Sequence, residues 1–468
     1  MATISLTEHR WRLLGATAVG AFMSPFDGTV VSVALPKLSP ALHLGFVGAL
    51  WIQAIYLLPL TVLLVPAGRL ADAWGGMRLY RLGLVLFALT SAAAGASSSA
   101  TFMLGARCAQ GVAAALLSAT STALVTEAFP PSERGKALGI NVTAVYVGLA
   151  AGPVLGGLLT EQVGWRSIFY VNLPVAVASL AWGWRLGGDR RSGPFRLDLA
   201  GVGLLAGGLG LTLVGVTLAP VWGWTMPSSL ALMSAGFGGI VAFVALESRR
   251  ADPLLDVSLF RRSRVFAAAN FAALANYTAF FAVTVLTAVF LQVAGGRSPQ
   301  EAGYLLVSQP VVMAALSSSA GRASDRVGSR WLASGGMGVI AVGLLLLSRL
   351  PVNPSVTALT VSLVVIGFGM AAFSSPNTSA VMGAAPRDQL GVASGTIGTM
   401  RFLGQALSVA ILGSLATSRL GAAGQAVLFS GHAESPHAAL SFVDGYRLAM
   451  LVGAGIAAAG ALASLARQ

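Results

Sequence analysis

The sequence predicts an all-helical protein that crosses a membrane many times. Three observations carry this prediction. Hydrophobic residues make up 56% of the 468 residues and charged residues only 10%, against about 25% charged in an ordinary soluble domain. The apolar residues gather into fourteen long runs, each close to the roughly 20 residues that a helix needs to cross a bilayer. The basic residues alternate from one side of these runs to the other. A chain this apolar could not keep its surface in water, which excludes most cytosolic enzymes, coiled coils and disordered regulators.

In chain order, the first six runs are 13–35, 46–67, 79–98, 102–125, 137–160 and 166–185. Two more follow at 199–220 and 227–246. The last six are 265–293, 302–321, 331–349, 354–377, 390–418 and 447–466. Their length and their richness in Leu and Ala make them helices rather than strands. The 57 glycines and 20 prolines are ordinary for membrane helices.

The net charge is +13, from 29 Lys and Arg against 16 Asp and Glu. With the N-terminus in the cytoplasm, 21 of the basic residues fall on the cytoplasmic side, six outside and two within runs. That is the positive-inside bias of membrane proteins. It puts both termini in the cytoplasm and explains the basic excess without nucleic acid. Cys108 is the single cysteine, so no intrachain disulfide is possible.

The chain also repeats itself. Gly68-Arg69-Leu70-Ala71-Asp72 leads to Gly75 and Arg78, and Gly321-Arg322-Ala323-Ser324-Asp325 leads to Gly328 and Arg330, 253 residues later. Each copy joins the second and third runs of its half if runs seven and eight are an insert. The expected division is a six-helix bundle over 1–186, two extra helices with their linkers over 187–264, and a second six-helix bundle over 265–468. Duplication of this kind marks transporters, with the substrate site between the halves near the membrane midplane.

Three charges fall inside runs: Asp27, Arg107 and Arg401. A charge there is costly, and it usually faces a bundle interior or a water-filled path. Asp27 is the sharpest candidate for proton coupling, because a carboxylate can load a proton on one side and release it on the other. The alternative is an acid that only bonds neighbouring helices. Arg107 stays charged. It either takes part in the proton relay or anchors its helix. Arg401, with Gln405 one turn later, either lines the cavity or ties the second half together.

Polar and aromatic residues inside apolar runs are candidates for the substrate cavity. In the first half they are Gln53, Tyr56, Asn141 and Tyr146. In the second they are Asn270, Asn276, Tyr277, Phe280 and Phe281, with Gln292, Gln309, Asn377 and Arg401. Aromatic rings with a few polar groups suit an amphipathic ligand, and cation–π contact suits an organic cation. Each of these residues alone is more often a helix–helix hydrogen bond or core packing; as a set, some must face the cavity.

Four stretches together resemble the major facilitator superfamily, and within it the fourteen-span drug:proton antiporters. They are the loop Gly68-Arg69-Leu70-Ala71-Asp72-Ala73-Trp74-Gly75-Gly76-Met77-Arg78; the Arg107, Gln110 and Gly111 set; the glycines of the fifth run; and Asp27-Gly28-Thr29-Val30-Val31-Ser32-Val33-Ala34-Leu35-Pro36. The stretches Trp165-Arg166 through Asn172-Leu173-Pro174 and Ser375-Pro376-Asn377-Thr378 add support. The resemblance covers nearly the whole chain. It implies a major facilitator fold with two six-helix bundles and two extra helices, 14 spans in all. It implies a monomeric antiporter in the bacterial cytoplasmic (inner) membrane, surrounded by lipid, that exchanges protons for amphipathic or cationic drug-like compounds and so confers drug resistance. Asp27 and Arg107 are implied as the proton-coupling pair.

Asp72, Arg78, Arg134 and Asp325 are implied as a conformational latch on the cytoplasmic side; solvated loop charges are the plainer alternative. Gly139, Gly148, Gly152, Pro153, Gly156 and Gly157 match the antiporter motif, where glycine lets helices approach closely and proline loosens the helix. The implied role is an interface between the halves that shuts the cytoplasmic side. Ala73 and Gly76 stand where the signature loop usually has basic residues, Ser32 replaces the usual Asn, and later runs carry no acid.

No phosphate-binding loop, nucleophile elbow, zinc-protease or dinucleotide motif occurs. The expectation is no enzyme, no cofactor, and energy from the proton gradient. The stretch Arg419–Arg447 carries His432, Glu434, His437 and Asp444, but their spacing fits no metal site. A metabolite exporter or importer of narrow specificity on the same fold is the competing function.

Overall fold

The computed structural model describes residues 9–184, 186, 198–250, 253–255, 257–386, 390–420 and 436–465. Every element among these residues is helical. The first group is α1 (Arg10–Ala41), α2 (Phe46–Trp74), α3 (Gly76–Gly95), α4 (Ala100–Ala128), α5 (Pro131–Gln162), α6 (Ser167–Tyr170) and α7 (Asn172–Gly183). Then come α8 (Leu199–Trp222), α9 (Pro227–Glu247) and the short α10 (Val257–Arg262). The last group is α11 (Arg264–Val289), α12 (Pro299–Leu306), α13 (Ser308–Val327), α14 (Ser329–Ser348), α15 (Val356–Ala384), α16 (Leu390–Thr417) and α17 (Pro436–Leu465).

Local chemistry sets many of the helix starts. Ser99, Ser263 and Ser355 each accept a hydrogen bond from the amide three residues on, and so cap α4, α11 and α15. Ser298 and Glu301 form a capping box on α12. The two copies of the repeated loop turn at matching glycines, Gly75 with φ 101° and Gly328 with φ 91°. A side chain is strained in that backbone region.

Among the described residues, twelve helices are long and apolar enough to cross a membrane. The sixth expected span, 166–185, is α6 and α7 joined at Val171, and their apolar stretch is shorter, Ser167–Gly183. The tenth, 302–321, straddles α12 and α13, which meet at Val307; α13 is rich in serine and ends in charge.

The two groups of seven use the same helix pairings. In the first, α1 packs on α5 and α7, α4 on α2 and α3, and α3 on α7. In the second, α11 packs on α16 and α17, α15 on α13 and α14, and α14 on α17. The groups meet where α2 touches α16, where α5 touches α12 and α13, and where α1 touches α11. Helix α8 lies against α2, α16 and α9, and the Trp51 indole donates to Thr217 Oγ1 at 3.1 Å.

The start of α8 is pinned by charge. Asp198 caps it through the Gly201 amide at 2.8 Å and pairs with Arg250, which follows α9. Burial by itself disfavours the charged carboxylate, but the Gly201 amide and the Arg250 guanidinium outweigh it and hold Asp198 below its ordinary value. The outer faces are apolar: Leu89, Val177 and Phe237 are 62%, 61% and 66% exposed. That is the surface a lipid-embedded protein presents.

Candidate functional site

Asp27, Arg107, Gln110, Asn172 and Ser91 meet inside the first group with no exposed surface at all. Four helices supply them. Asp27 lies on α1, Ser91 on α3, Arg107 and Gln110 one turn apart on α4, and Asn172 opens α7. The Arg107 guanidinium donates through Nη1 to Asp27 Oδ2. Asp27 Oδ1 accepts from Gln110 Nε2 at 2.9 Å and from Asn172 Nδ2 at 3.1 Å. Gln110 Oε1 accepts from Arg107 Nη1 at 2.6 Å, and Ser91 Oγ accepts from Gln110 and Asn172 at 2.8 and 3.3 Å.

Arg107 is braced further. Its Nε donates to the Ile52 carbonyl at 3.1 Å, and its guanidinium carbon lies 4.4 Å from the centre of the Tyr56 ring. Tyr56 in turn shares a 2.7 Å hydrogen bond with Ser24 on α1. A buried pair of this kind is stable only with its partners intact, and removing one member costs about 3–5 kcal/mol. The site therefore holds a carboxylate, a fixed cation and two amides out of water.

The short α6 explains how Asn172 arrives there. Arg166 donates to the Ser97 carbonyl at 3.0 Å and stacks 4.3 Å from the Trp165 ring centre. Ile168 and Phe169 are fully buried. The chain then breaks at Val171, and the first residue of α7 points at Asp27.

The other expected residues spread over the molecule. Gln53 is fully buried and donates to the Gly28 carbonyl at 2.8 Å and to Ser32 Oγ at 3.0 Å. Asn270 donates to the Phe266 carbonyl at 2.9 Å, and Asn276 to Met370 Sδ at 3.1 Å. Asn141 accepts from Ser121 at 3.4 Å. Gln309, Asn377 and Phe280 are buried, and Phe281 and Tyr277 are half-buried. Between the halves, the Tyr146 hydroxyl donates to Ser374 Oγ at 3.4 Å, and Gln292 donates to the Val33 carbonyl at 2.9 Å. Arg401 is half-buried, lies 4.6 Å from the Phe402 ring centre, and has no partner for its Nε. It lies near Tyr146, as does Tyr277, so these three share one region.

The α5 glycines divide into two faces. Added side chains would strike Phe22 from Gly148, Thr29 and Phe26 from Gly152, and Val30 from Gly156, all on α1. One from Gly157 would strike Pro299 and Gln300 on α12, and one from Gly303 would strike the Pro153 carbonyl. Only Gly157 and Pro153 of the expected set thus face the other group, and Gly139 faces open space. Arg10 bonds Glu133 at 3.1 Å, so the starts of α1 and α5 share one end of the bundle. The Gly157–α12 contact lies toward the opposite end.

Arg78 is exposed. The side chains of its expected latch partners Asp72, Arg134 and Asp325 lie outside the described residues, as do His432 and Glu434. Among the described residues, no group of three His, Cys, Asp or Glu is placed to hold a metal. A cavity of about 690 Å³ opens between α1, α5 and α7, lined by apolar residues such as Phe22, Ile140, Val147 and Pro174. It flanks the first group rather than separating the two.

Seven-helix groups in duplicate, with a buried charge pair in one of them, fit the class of membrane transporters. The family model of the Major Facilitator Superfamily matches residues 17–196 and 265–467, and the chain belongs to that superfamily. It is 35% identical over 412 residues to the multidrug resistance protein Stp of Mycobacterium tuberculosis, covering 87% of this chain and 76% of that one. It is 32% identical to the tetracenomycin C resistance and export protein of Streptomyces glaucescens, covering 89% and 78%. It is 29% identical to the riboflavin transporter RibZ of Clostridioides difficile, covering 87% and 88%. A bacterial homologue of the human lysosomal transporter Spinster, solved inward-facing and unoccupied, shares the fold with a TM-score of 0.67 at 18% identity, over 97% of each chain.

Proposed function

We propose that this multi-pass membrane transporter is a proton-coupled antiporter. It exports amphipathic or cationic drug-like compounds from bacteria by alternating access. The observation that carries the reading is the Asp27–Arg107 pair, a titratable group locked out of water beside a fixed cation. The resistance and export names of two relatives support the drug branch.

In this reading the chain makes fourteen spans with both termini in the cytoplasm of a bacterial cell. The division is 1–186, 187–264 and 265–468. It works as a monomer without a cofactor. Substrate enters from the cytoplasm or inner leaflet, among the residues near Tyr146, Tyr277 and Arg401. The halves rock and release it outside. Asp27 takes a proton there, the pair with Arg107 loosens, and the return stroke delivers the proton inward. One proton moving down about 100 mV and one pH unit yields about 2.3 and 1.4 kcal/mol. Together these sustain a gradient of a neutral substrate of up to about 500-fold.

Ethidium accumulation by energised inside-out vesicles tests this. Wild type should accumulate dye in a manner abolished by an uncoupler, and Asp27→Asn should lose it at equal protein level. Full accumulation by Asp27→Asn removes Asp27 as the coupling site. The riboflavin transporter among the relatives favours a second reading, a narrow metabolite transporter, to which absence of any dye movement by wild type would point.

A further inference from the structure

Asn172 is the one member of the buried cluster that can answer a change in the protonation of Asp27. Gln110 cannot, because its two ends are committed: Nε2 to Asp27 Oδ1 and Ser91, and Oε1 to Arg107. Arg107 has only donors. Asn172 gives Nδ2 to Asp27 Oδ1 at 3.1 Å and to Ser91 Oγ at 3.3 Å. Its Oδ1 is buried with no hydrogen-bond partner. The residue is fully buried, so water does not serve that oxygen.

A carboxylate wants donors, and a carboxylic acid needs an acceptor for its new O–H. We propose that Asn172 is the positioning residue of the proton switch: its amide donates to Asp27 when the carboxyl is charged and turns over to accept from it when protonated. The proton comes from water on the side then open, and the O–H bond forms on Asp27 Oδ1. Rotation of the Asn172 amide replaces Nδ2 by Oδ1 at nearly the same place. The hydroxyl of Ser91, which rotates freely between donor and acceptor roles, can donate to the turned oxygen. On the return stroke the bond breaks, the proton leaves to water on the other side, and the amide turns back. One end of the amide lacks a partner in either orientation, so the two differ mainly in what they offer Asp27.

The sequence around Asn172 serves this placement. Trp165 and Arg166 fix α6, the break at Val171 ends it, and Asn172 opens α7 with its side chain on Asp27. The inference rests on Asp27 as the coupling site, and the test separates the two ideas.

Asn172→Leu and Asn172→Ser are made in the full chain beside Asp27→Asn. Each is assayed for uncoupler-sensitive ethidium transport across a pH series and for dye counterflow without a proton gradient. Asn172→Leu removes a donor from the charged form and should move the midpoint of the pH profile about one unit to the alkaline side. Driven transport should fall at least about tenfold while counterflow stays within about twofold. Asn172→Ser keeps a group that both donates and accepts, and should lie between Asn172→Leu and wild type. An unmoved pH profile in Asn172→Leu overturns the proposal while leaving Asp27 as the coupling site. Parallel loss of counterflow and driven transport, also seen in Asn172→Ser, makes Asn172 a packing residue only and overturns it too. Wild-type transport by Asp27→Asn overturns both.

Discussion

Inside the first seven helices, Asp27, Arg107, Gln110, Asn172 and Ser91 form a polar knot with no exposure. Inside the last seven, the same helix pairings enclose quieter chemistry. Asn276 donates to Met370 Sδ at 3.1 Å, Thr287 meets Tyr446 at 3.1 Å, and Ser408 accepts from the Ala282 amide at 2.9 Å. Arg401 is the one intramembrane charge there among the described residues, and it is only half-buried. Duplication has kept the packing and let the interiors diverge. Packing depends on small residues at helix crossings, which both halves retain at Gly111, Gly148, Gly336 and Gly369. A buried ion pair needs several partners at once, and among the described residues only the first half supplies them.

The largest effect should follow from breaking the knot at its cation. Arg107→Lys keeps the charge but loses the fork that reaches Asp27, Gln110 and the Ile52 carbonyl together. Losing such charge-assisted bonds should lower driven dye transport about tenfold or more. Arg107→Leu leaves Asp27 buried and unpaired, and should cost about 3–5 kcal/mol of stability, readable as a drop in detergent thermal midpoint. If Arg107→Lys transports normally, a point charge suffices and the knot is less specific than its geometry.

The next effect separates the two glycine faces of α5. A leucine at Gly152 meets Thr29 and Phe26 within the same half, whereas one at Gly157 meets Pro299 and Gln300 across the halves. Overpacking inside a bundle costs about 1–3 kcal/mol, so Gly152→Leu should lower protein level and transport together. Gly157→Leu should leave the level near normal and slow transport, by wedging the contact between α5 and α12. Equal behaviour of the two variants in an expression-normalised assay would erase the distinction.

Much of the knot was legible in the sequence, and the reason is cost. Asp27 and Arg107 stand out because charges inside apolar runs are rare. Ser91 did not stand out, and Asn172 entered only within a stretch of the family resemblance, because neutral polar residues are common there and the break at Val171 is what aims Asn172. Pro174 and Pro310 stand three residues after the breaks at Val171 and Val307, and each lacks the amide that would bond the carbonyl of Tyr170 or Leu306, the last residues of α6 and α12. The candidate set for the cavity had the opposite fate. Gln53 and Tyr56, chosen as polar residues in apolar runs, join α1 to α2 or brace Arg107. Periodicity tells that a residue is inside, not which neighbour takes its hydrogen bond.

Arg401 sharpens the comparison from the other side. If the second half handles substrate while the first handles protons, Arg401→Gln should alter half-saturation for dye by about tenfold, the worth of one charged contact. Its pH profile should match wild type, unlike that of Asn172→Leu. A shifted pH profile in Arg401→Gln would place proton chemistry in both halves.

The smallest effect belongs to the quiet interior. Thr287 and Tyr446 share one buried hydrogen bond, and both are fully buried. Tyr446→Phe removes the hydroxyl but leaves the ring stacked 4.7 Å from Phe290. It leaves the Thr287 hydroxyl without that partner. The expected loss is about 1 kcal/mol of stability, with dye transport and its pH profile unchanged. A transport defect in Tyr446→Phe larger than that in Arg107→Lys would reverse the assignment of roles, because a helix-packing contact would then govern coupling more than the only buried ion pair among the described residues.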